Sequence, residues 1–594
     1  MTSTRFSFAK LLEKYTLSES IHKITIWGLL AIFSLNTFPF LFYDALRMLY
    51  LTSIDYNEGW NVFQTLKILK GEPLYGSLSG FPLVLVNYPP LSFFIIGGLS
   101  FFTGSILLTG RIVAYISLLA LSYLIFKIIE NLTSQKTAAL LGALLWLAII
   151  GRMAGNYVGM HDPQLLANTF SLGAFYFYFK WEDTLTFQKV CVLAFFCSLA
   201  MFVKHLSITV PIALGITLLF NNRKSFWIFT LSGIMISSLM FLGSWLYAGR
   251  DLFFNFLDLS RALSNRKLLE EIISLFRTHF LGVVFLPFLV LLIIGHKKWF
   301  PIAMYFVLSF ILGFYVTRGV GVDRNAWFDF FIASAIVFGL FAAGTRRQRQ
   351  RNTSYIGKRR SSFRNWLPGL AIIFSGLVTN EFVLAQFLSS DGVLERSTIL
   401  RIRILQTFIV LSGFLLLVAK DRIAALLRNR FLFYVILFSL ILPFSIGFKD
   451  SLKKVFHYER LKQQEELYRK DVELLKSIQG PALFEESLLG FHAEKEFLFD
   501  SFNASQMMVY GRIPEHILTD KINQKYFRAI ILTFDLEKEL TRLNRDRIDP
   551  IIPKTTLTDR WTDNTLIAIN DHYELLDPKR PRHYFFYLPR NSSP

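Results

Sequence analysis

Long apolar runs dominate the chain and are separated by short polar segments. A run such as "LSGIMISSLMFLGSWLYAG" is long enough to cross the roughly 30 Å hydrocarbon core of a bilayer as a helix. Runs of this kind begin near residues 24, 83, 111, 137, 165, 189, 206, 226, 280, 299, 326, 366, 402 and 430. Because a single segment in lipid satisfies its own backbone groups only as a helix, the pattern predicts a polytopic α-helical membrane protein.

The basic residues predict which side of the membrane each loop faces. Cytoplasmic loops carry an excess of Lys and Arg, so the most basic loop, 345–364, is assigned to the cytoplasm together with the basic N-terminus. If every run crossed the membrane, 345–364 would face the other side. Both basic segments face the cytoplasm if 83–103 is a re-entrant or interfacial helix that does not cross the membrane. The prolines of "FPLVLVNYPPLSFF" also favour this interpretation. This leaves about 13 spans, with the N-terminus inside and the C-terminus outside.

Composition divides the chain into a membrane domain at 1–449 and a smaller domain at 450–594. In the smaller domain, a charged helical pattern precedes short apolar runs such as "RAIILTFD" and "HYFFYLP", which predicts a soluble α/β domain on the outer side. The topology also places outside a first loop, 44–110, with interfacial helices. The outer loop 249–279 has the pattern of an amphipathic helix and is either a lid over a lipid substrate or a structural loop.

Charge and cysteine content narrow the function classes. The formal net charge is +20, and 53% of the residues are hydrophobic. The basic residues concentrate in loops assigned to the cytoplasm, which indicates positive-inside topology and not nucleic-acid binding. Cys191 and Cys197 lie in one apolar run, so we interpret them as packing residues and not as a disulfide framework.

Two acidic motifs occur in the loops assigned to the outer side. Asp55 and Glu58 are three residues apart and share one face of a helix. They are either solvated loop acids or a general base and cation ligand at the interface. His161 and Asp162 precede Pro163, so Asp162 either caps a helix or joins His161 in a divalent-metal or acid/base site.

Cationic residues gather on the same side. Lys204 and His205 lie at a turn between two apolar runs, where they either extend to the interface or bind a lipid phosphate as it leaves. A second candidate site for a phosphate or sugar, in "TRGVGVDRNAWFDFF", comprises Arg318, Arg324 and Asn325. An acid inside an apolar run is a functional candidate, and Asp329 is expected in that role or paired with Arg324.

The order of these motifs resembles the GT-C superfamily of membrane glycosyltransferases. It is most similar to the branch that holds the bacterial aminoarabinose-lipid A transferases and the protein O-mannosyltransferases. The motifs in chain order are "DYNEG" in a long first outer loop, "ILKGEPLY", "NYPPLSFF", "FFTGSILLTGR", an outer "HD", a Lys at a later turn and "NAWFDFF". The resemblance implies a GT-C fold and a sugar donor linked to polyprenyl phosphate.

The resemblance also implies roles for individual residues. Asp55 matches the first-loop acid proposed as catalytic base, Asp162 matches a second outer acid, and Lys204 falls where members keep a cation for the polyprenyl phosphate. Relatives often have adjacent acids and a basic residue before the paired prolines, whereas here the acids are separated and Tyr88 precedes the prolines. We expect Tyr88 among the donor contacts and the phosphate contact from Lys204 or Arg318. Members of the superfamily differ in metal use, so the resemblance does not decide whether this protein binds a divalent cation.

These inferences predict an inverting glycosyltransferase of the bacterial cytoplasmic membrane. Asp55 would deprotonate or orient an acceptor hydroxyl on the outer side while the polyprenyl phosphate leaves. The acceptor is a lipid, a glycan or a protein. One alternative is a flippase that moves lipid-linked sugar without chemistry, for which charges are expected at mid-depth along a path. The other is a scaffold whose tail domain binds a partner.

Overall fold

The structure is a computed structural model in which helices predominate and one small sheet is present. It describes residues 19–347, with gaps at 77–79, 250, 253–254, 256–296 and 320, and then 452, 455–456, 458–546, 560–577 and 583–590. Several predictions therefore lie wholly or largely outside the described residues: the loops 249–279 and 345–364, and the apolar runs that begin near 280, 366, 402 and 430.

The membrane part is built from helices joined by short connections. Its described α-helices are α1 (Glu19–Arg47), α2 (Asn57–Lys70), α3 (Leu91–Thr103), α4 (Ile106–Thr133), α5 (Lys136–Met153), α6 (Gln164–Trp181), α7 (Phe187–Val203), α8 (Thr209–Asn221), α9 (Arg223–Ala248), α10 (Phe300–Val316) and α11 (Phe328–Arg347). α2 ends where Gly71 adopts a left-handed conformation with φ 70°, which glycine reaches without strain.

Five segments of the described residues are long and apolar enough to cross a membrane. They are Thr25–Arg47, Ile106–Thr133, Lys136–Met153, Arg223–Ala248 and Arg324–Ala343. α3, α7, α8 and α10 are apolar but have only 13 to 17 residues, whereas a straight span needs about 20. The count of about 13 spans therefore remains a prediction.

The run at 83–103 forms a helix over only part of its length. α3 begins after Pro89 and Pro90, because proline lacks the amide that a helix interior needs and restricts the residue before it. The helix has 13 residues, about 20 Å at the standard rise, and ends at Gly104. Residues 83–86 are extended, and the Leu83 amide donates to the Leu498 carbonyl at 2.9 Å.

The membrane helices pack closely around one hydrophobic core. Glycines permit the closest approach: a Cβ at Gly142 would lie 2.3 Å from Ile129 Cδ1, and one at Gly339 would lie 3.0 Å from the Ala138 carbonyl oxygen. Small residues at such positions bring helix backbones together where lipid supplies no hydrophobic driving force. The glycines of α5 and α11 thus bring these two helices together against Ile129 of α4.

The C-terminal part contains helices around a four-stranded sheet. The helices are α12 (Glu459–Ser477), α13 (Ser487–His492), α14 (Asn503–Val509), α15 (His516–Asn523), α16 (Leu536–Asp546) and α17 (Asp563–His572), and the strands are β1 (Ala482–Phe484), β2 (Ala529–Leu532), β3 (Tyr573–Leu575) and β4 (Phe585–Pro589). The strand order is β1-β2-β4-β3, with β1 parallel to β2 and the other pairs antiparallel.

The first loop supplies part of the core of this sheet. Along the extended segment 83–86, Leu83 and Leu85 join the core on one face of the sheet, whereas Val84 and Val86 join the core on the other. Side chains that point alternately to two opposite faces are typical of a β-strand. α2 and α3 also contribute side chains to the second core. The regions predicted as separate domains, 1–449 and 450–594, therefore share hydrophobic cores.

Candidate functional site

Asp55 lies immediately before α2. Its Oδ1 accepts a hydrogen bond from the Asn57 amide at 3.3 Å, and its carbonyl oxygen accepts from the Glu58 amide at 3.1 Å and from Ser53 Oγ at 2.6 Å. A helix N-terminus has free amides and a positive dipole end, which suit an acid at this position. The local sequence thus holds a half-buried carboxylate in a defined turn.

The surroundings of Asp55 favour its protonated form. Burial raises the pKa of its carboxyl, and the Asp323 and Asp162 carboxylates raise it further, whereas the Asn57 amide and the charge of Arg560 lower it. Among the described residues, Asp55 has no ion-pair partner. A raised pKa makes the ionised carboxylate a stronger base.

Glu58 is buried and forms an ion pair with Arg111. Arg111 Nε donates to Oε1 of Glu58 at 2.8 Å, and Nη2 donates to Oε2 at 2.7 Å. Both side chains are 0% exposed. The same carboxylate accepts from the amides of Ile54 at 2.7 Å and His161 at 3.0 Å. Glu58 is therefore neither a solvated loop acid nor free to act as a base, and its contacts favour a structural role.

Arg111 joins the first loop to α4. Besides Glu58, it donates to the carbonyl oxygens of Met48, Tyr50 and Thr52. Burial alone would raise the pKa of Glu58, but the charge and hydrogen bonds of Arg111, with two backbone amides, hold it below its usual range. The pair therefore fixes the segment that leads to Asp55.

His161 is buried beside this pair and contacts the backbone of α4. A Cβ at Gly110 would lie 2.2 Å from His161 Cγ, so the imidazole occupies the space that glycine leaves. Burial lowers the pKa of His161 to about 4, and Nδ1 has no hydrogen-bond partner among the described residues. Its carbonyl oxygen accepts from Asn61 Nδ2 at 2.8 Å. At neutral pH this imidazole is uncharged.

Asp162, Lys204 and Tyr88 form one contact group. Lys204 Nζ lies 3.4 Å from Asp162 Oδ1 and 5.0 Å from the centroid of the Tyr88 ring. Asp162 Oδ1 also accepts from the Gln164 amide at 2.8 Å, although the cap residue of α6 is Pro163, one residue later than predicted. Asp162 Oδ2 is buried without a hydrogen-bond partner among the described residues. His205 follows at the same turn and is half-buried.

The second group of cations lies at the junction of α10 and α11. Arg318 is buried. Arg324 begins the 3-10 turn that contains Asn325, and its Nη1 donates to the Met153 carbonyl oxygen at 2.7 Å, at the C-terminus of α5. A guanidinium at this position satisfies a carbonyl that the helix leaves free. The structure thus places Arg324 at a helix end, and no ligand contact is assigned to it.

Asp329 has neutral hydrogen-bond donors. It accepts from Asn168 Nδ2, Thr209 Oγ1 and Tyr305 Oη, each at 2.8 Å. The alternative that Asp329 pairs with Arg324 is wrong, because these three donors are its partners in the structure. The acid joins α6, α8 and α10 to α11.

Further residues that were not predicted from the sequence interact with the acids around Asp55. Tyr157 is a buried tyrosine whose pKa is raised by burial and then by the charges of Asp162, Asp323 and Asp55. Its hydroxyl therefore lies within electrostatic reach of all three acids. Asn156 Nδ2 lies 3.4 Å from Asp323 Oδ2. Within the "DRN" segment, Asp323 is thus the residue whose charge acts on Asp55.

The C-terminal part also contributes to the site. Arg560 lies over the Tyr56 ring, 4.4 Å from its centroid, and its Nη1 donates to Glu485 Oε1 at 3.0 Å. Burial raises the pKa of Glu486 to about 8, and the Glu58 and Asp55 charges act in the same direction. A sequence signal existed for Arg111, since it is a lone arginine in an apolar run. No local pattern indicated Arg560 or Glu486.

The metal prediction for His161 and Asp162 lacks further ligands. The described residues contain no group of three or more His, Cys, Asp and Glu side chains that could hold a metal ion. Structural and catalytic zinc sites use at least three protein ligands. The described side chains at this pair therefore do not form a zinc site, and the prediction of a divalent metal stays a prediction.

The fold resembles that of ArnT, the aminoarabinose-lipid A transferase, from Cupriavidus metallidurans. The crystal structure of ArnT bound to undecaprenyl phosphate matches 97% of this chain and 99% of its own, with a TM-score of 0.53 and 12% identity. The apo structure matches 89% of this chain and 92% of its own, with a TM-score of 0.51 and 12% identity. No protein-family model matches the chain, and no curated protein matches its sequence.

The comparisons confirm the resemblance to the GT-C superfamily at the level of the fold. ArnT is a glycosyltransferase of that superfamily, and one of its structures holds undecaprenyl phosphate. At 12% identity the likeness extends to the arrangement of the chain and not to its substrates. The chemistry of the site therefore depends on the side chains of this protein.

Proposed function

We propose that the protein is an inverting glycosyltransferase that moves a sugar from a polyprenyl-phosphate-linked donor to an acceptor hydroxyl. One observation carries the proposal: the buried Lys204 ammonium contacts Asp162 and the Tyr88 ring, and the charge of that same Asp162 acts on the pKa of the Asp55 carboxyl. A phosphate-binding cation and a general base in one site are the two groups that transfer from a lipid phosphate requires.

Asp55 acts as the base. As the acceptor oxygen attacks the anomeric carbon, its proton passes to the Asp55 carboxylate, and the bond from that carbon to the phosphate oxygen breaks. The raised pKa of Asp55 brings it closer to neutral pH, where a general base works best. Attack opposite the leaving phosphate inverts the anomeric centre.

Lys204 stabilises the departing phosphate. Asp162 is the one carboxylate in contact with its ammonium among the described residues, at 3.4 Å, so hydrogen-bonding capacity remains for a phosphate oxygen. Tyr88 contributes the face of its ring, which attracts a cation. Asp162 orients the lysine, and its unpartnered Oδ2 is available to a sugar hydroxyl.

The site operates at the outer face of the cytoplasmic membrane. The basic loop 345–364 faces the cytoplasm by the positive-inside rule, which puts the first loop and the C-terminal part outside. The polyprenyl tail remains in the hydrocarbon while the acceptor, a lipid, glycan or protein, enters from the aqueous side. Arg318 and Asn325, in the connection between α10 and α11, remain the candidates for a second contact to phosphate or sugar.

Transfer by the purified chain tests the catalytic role. The donors are undecaprenyl-phosphate-linked sugars extracted from bacterial membranes, the acceptors are the remaining membrane glycolipids, and the released undecaprenyl phosphate is quantified by mass spectrometry. Asp55→Asn should lower the rate roughly 10²- to 10⁴-fold, as expected for loss of a general base. The control, Asp183→Asn, alters an exposed acid and should retain the rate. Full activity in Asp55→Asn would exclude the mechanism.

Binding of undecaprenyl phosphate tests the lysine. Lys204→Met should raise its Kd about tenfold to a hundredfold, because a charge-assisted hydrogen bond is lost. Lys189→Met removes a half-buried lysine near the other end of α7, bonded to Thr184, and should leave Kd unchanged. Equal affinity in the wild type and Lys204→Met would refute the phosphate role. Movement of lipid-linked sugar across vesicles without transfer would favour the flippase.

A further inference from the structure

Asp500, in the segment between α13 and α14, is a buried acid surrounded by neutral donors. Its Oδ1 accepts from Tyr56 Oη at 3.0 Å and from the Asn503 amide at 3.0 Å. Its Oδ2 accepts from Trp60 Nε1 at 3.0 Å and from Asn503 Nδ2 at 2.7 Å. The residue is 0% exposed, and these four donors are neutral. Each carboxylate oxygen therefore holds two hydrogen bonds inside the protein.

The first line of contacts from Asp500 leads to the base. Tyr56 directly follows Asp55, and its hydroxyl is bonded to the acid while its ring lies beneath the Arg560 guanidinium at 4.4 Å. The Phe502 amide also donates toward Tyr56 Oη, at 3.4 Å. The residue next to Asp55 is thus held by the C-terminal part on both its hydroxyl and its ring face.

The second line leads to the cation. The Trp60 indole packs edge-on against Tyr88, with centroids 5.3 Å apart, and Tyr88 faces Lys204 Nζ at 5.0 Å. The backbone adds to this line, because the Asp500 amide donates to the Leu83 carbonyl oxygen at 2.8 Å, in the segment that leads to Tyr88. Asp500 therefore contacts the supports of both groups assigned to the reaction.

We infer that Asp500 is a positioning residue that aligns Asp55 with Lys204, through Tyr56 on one oxygen and Trp60 on the other. The inference rests on the proposed function, which assigns the base and the cation. It also gives the C-terminal part a role in the site itself, since the aligning acid is separated from Tyr56 by 444 residues of sequence.

A carboxylate is required at this position for a chemical reason. Four donors converge on Asp500, and only an ionised carboxyl offers two acceptor oxygens without a proton of its own. Asparagine would present its NH₂ group to two of these donors.

The experiment tests the two sets of contacts with one variant each. Tyr56→Phe removes only the hydroxyl and should lower kcat roughly 10- to 100-fold, because a misplaced base costs rate, while the Kd for undecaprenyl phosphate stays at the wild-type value. Trp60→Phe removes the indole donor and should raise that Kd about three- to tenfold, with a smaller change in kcat. Asp500→Asn should show both effects.

Tyr573→Phe is the matched control. It also removes a tyrosine hydroxyl in the C-terminal part, which donates to the Phe527 carbonyl at 3.0 Å. If the loss of such a hydroxyl has only a structural effect, this variant should have a lower Tm but no selective change in kcat or in Kd. The positioning role is overturned if Tyr56→Phe and Trp60→Phe keep wild-type constants, or if they match Tyr573→Phe. Full activity in Asp55→Asn would instead overturn the proposed function, so the two failures are distinguishable.

Discussion

The buried pair of Glu58 and Arg111 gives a quantitative test of how the first loop is held. Arg111→Met keeps an unbranched side chain in α4 but removes the cation, both bonds to Glu58 and the donors to three carbonyls. The Glu58 carboxylate then stays buried with only the Ile54 and His161 amides as donors. Because both side chains are 0% exposed, water cannot replace the lost cation without opening the loop.

The expected loss of stability follows from these contacts. Removing one partner of a buried ion pair costs about 4 kcal/mol, because the other charge is left without compensation. Unfolding entropy is about 2.1 cal/mol/K per residue, or about 1.2 kcal/mol/K over 594 residues if the chain unfolds as one unit. Tm should therefore fall by about 3 °C. Adding Glu58→Gln to Arg111→Met should restore part of this loss.

The assay is thermal unfolding of the purified chain in detergent, followed as a double-mutant cycle. The fall in Tm for the double variant should be smaller than the sum for the single variants by about 2 °C, since contacting residues couple. Arg469→Met is the control: Arg469 Nε is 3.0 Å from Glu465 in an exposed pair, and the change should be below about 1 °C. Additive losses, or an Arg111→Met chain as stable as the wild type, would refute the reasoning.

Two further changes test the contact between the first loop and the C-terminal part. Gly59→Ala places a Cβ 2.0 Å from the Leu488 amide nitrogen, so it should lower both Tm and transfer activity. Gly98→Ala in α3 is the control: its Cβ meets nothing within 4 Å, and the change should raise the free energy of unfolding by about 0.5 to 1 kcal/mol. Burial raises the pKa of Glu486 to about 8 in the folded protein. The contribution of this group to the stability of the fold is therefore complete below its pKa in the unfolded chain, and it is lost as the pH rises through about 8. Glu486→Gln should flatten this fall in Tm between about pH 5 and about pH 8, and an unchanged pH profile would contradict it.

Local features of the membrane part followed from the sequence. The apolar runs predicted helices where α1, α4, α5 and α9 occur, and the paired prolines predicted an irregular start for the run that contains α3. Lys204 was expected at a turn between two apolar runs and lies there. These features depend on a few neighbouring residues, so pattern and propensity were sufficient.

The candidate site was predictable only in part. Asp55, Asp162 and Lys204 were selected from the sequence; the structure brings Lys204 into contact with Asp162 and Tyr88, and the Asp162 charge acts on the pKa of Asp55. Glu58 was selected as a catalyst, yet an arginine 53 residues away holds its carboxylate inside the protein. Sequence spacing cannot distinguish a solvated acid from a buried one, because burial depends on which segments pack against it.

The sequence by itself determined that this protein is a helical membrane protein with polar residues grouped in its loops. Tertiary structure alone decided that the C-terminal sheet shares its cores with the first loop and that Asp500 joins Tyr56 to Trp60. The physical reason is the distance along the chain over which each effect acts. Hydrophobic periodicity acts over a few turns of helix, whereas a buried polar group takes whichever partner long-range packing brings within hydrogen-bonding distance.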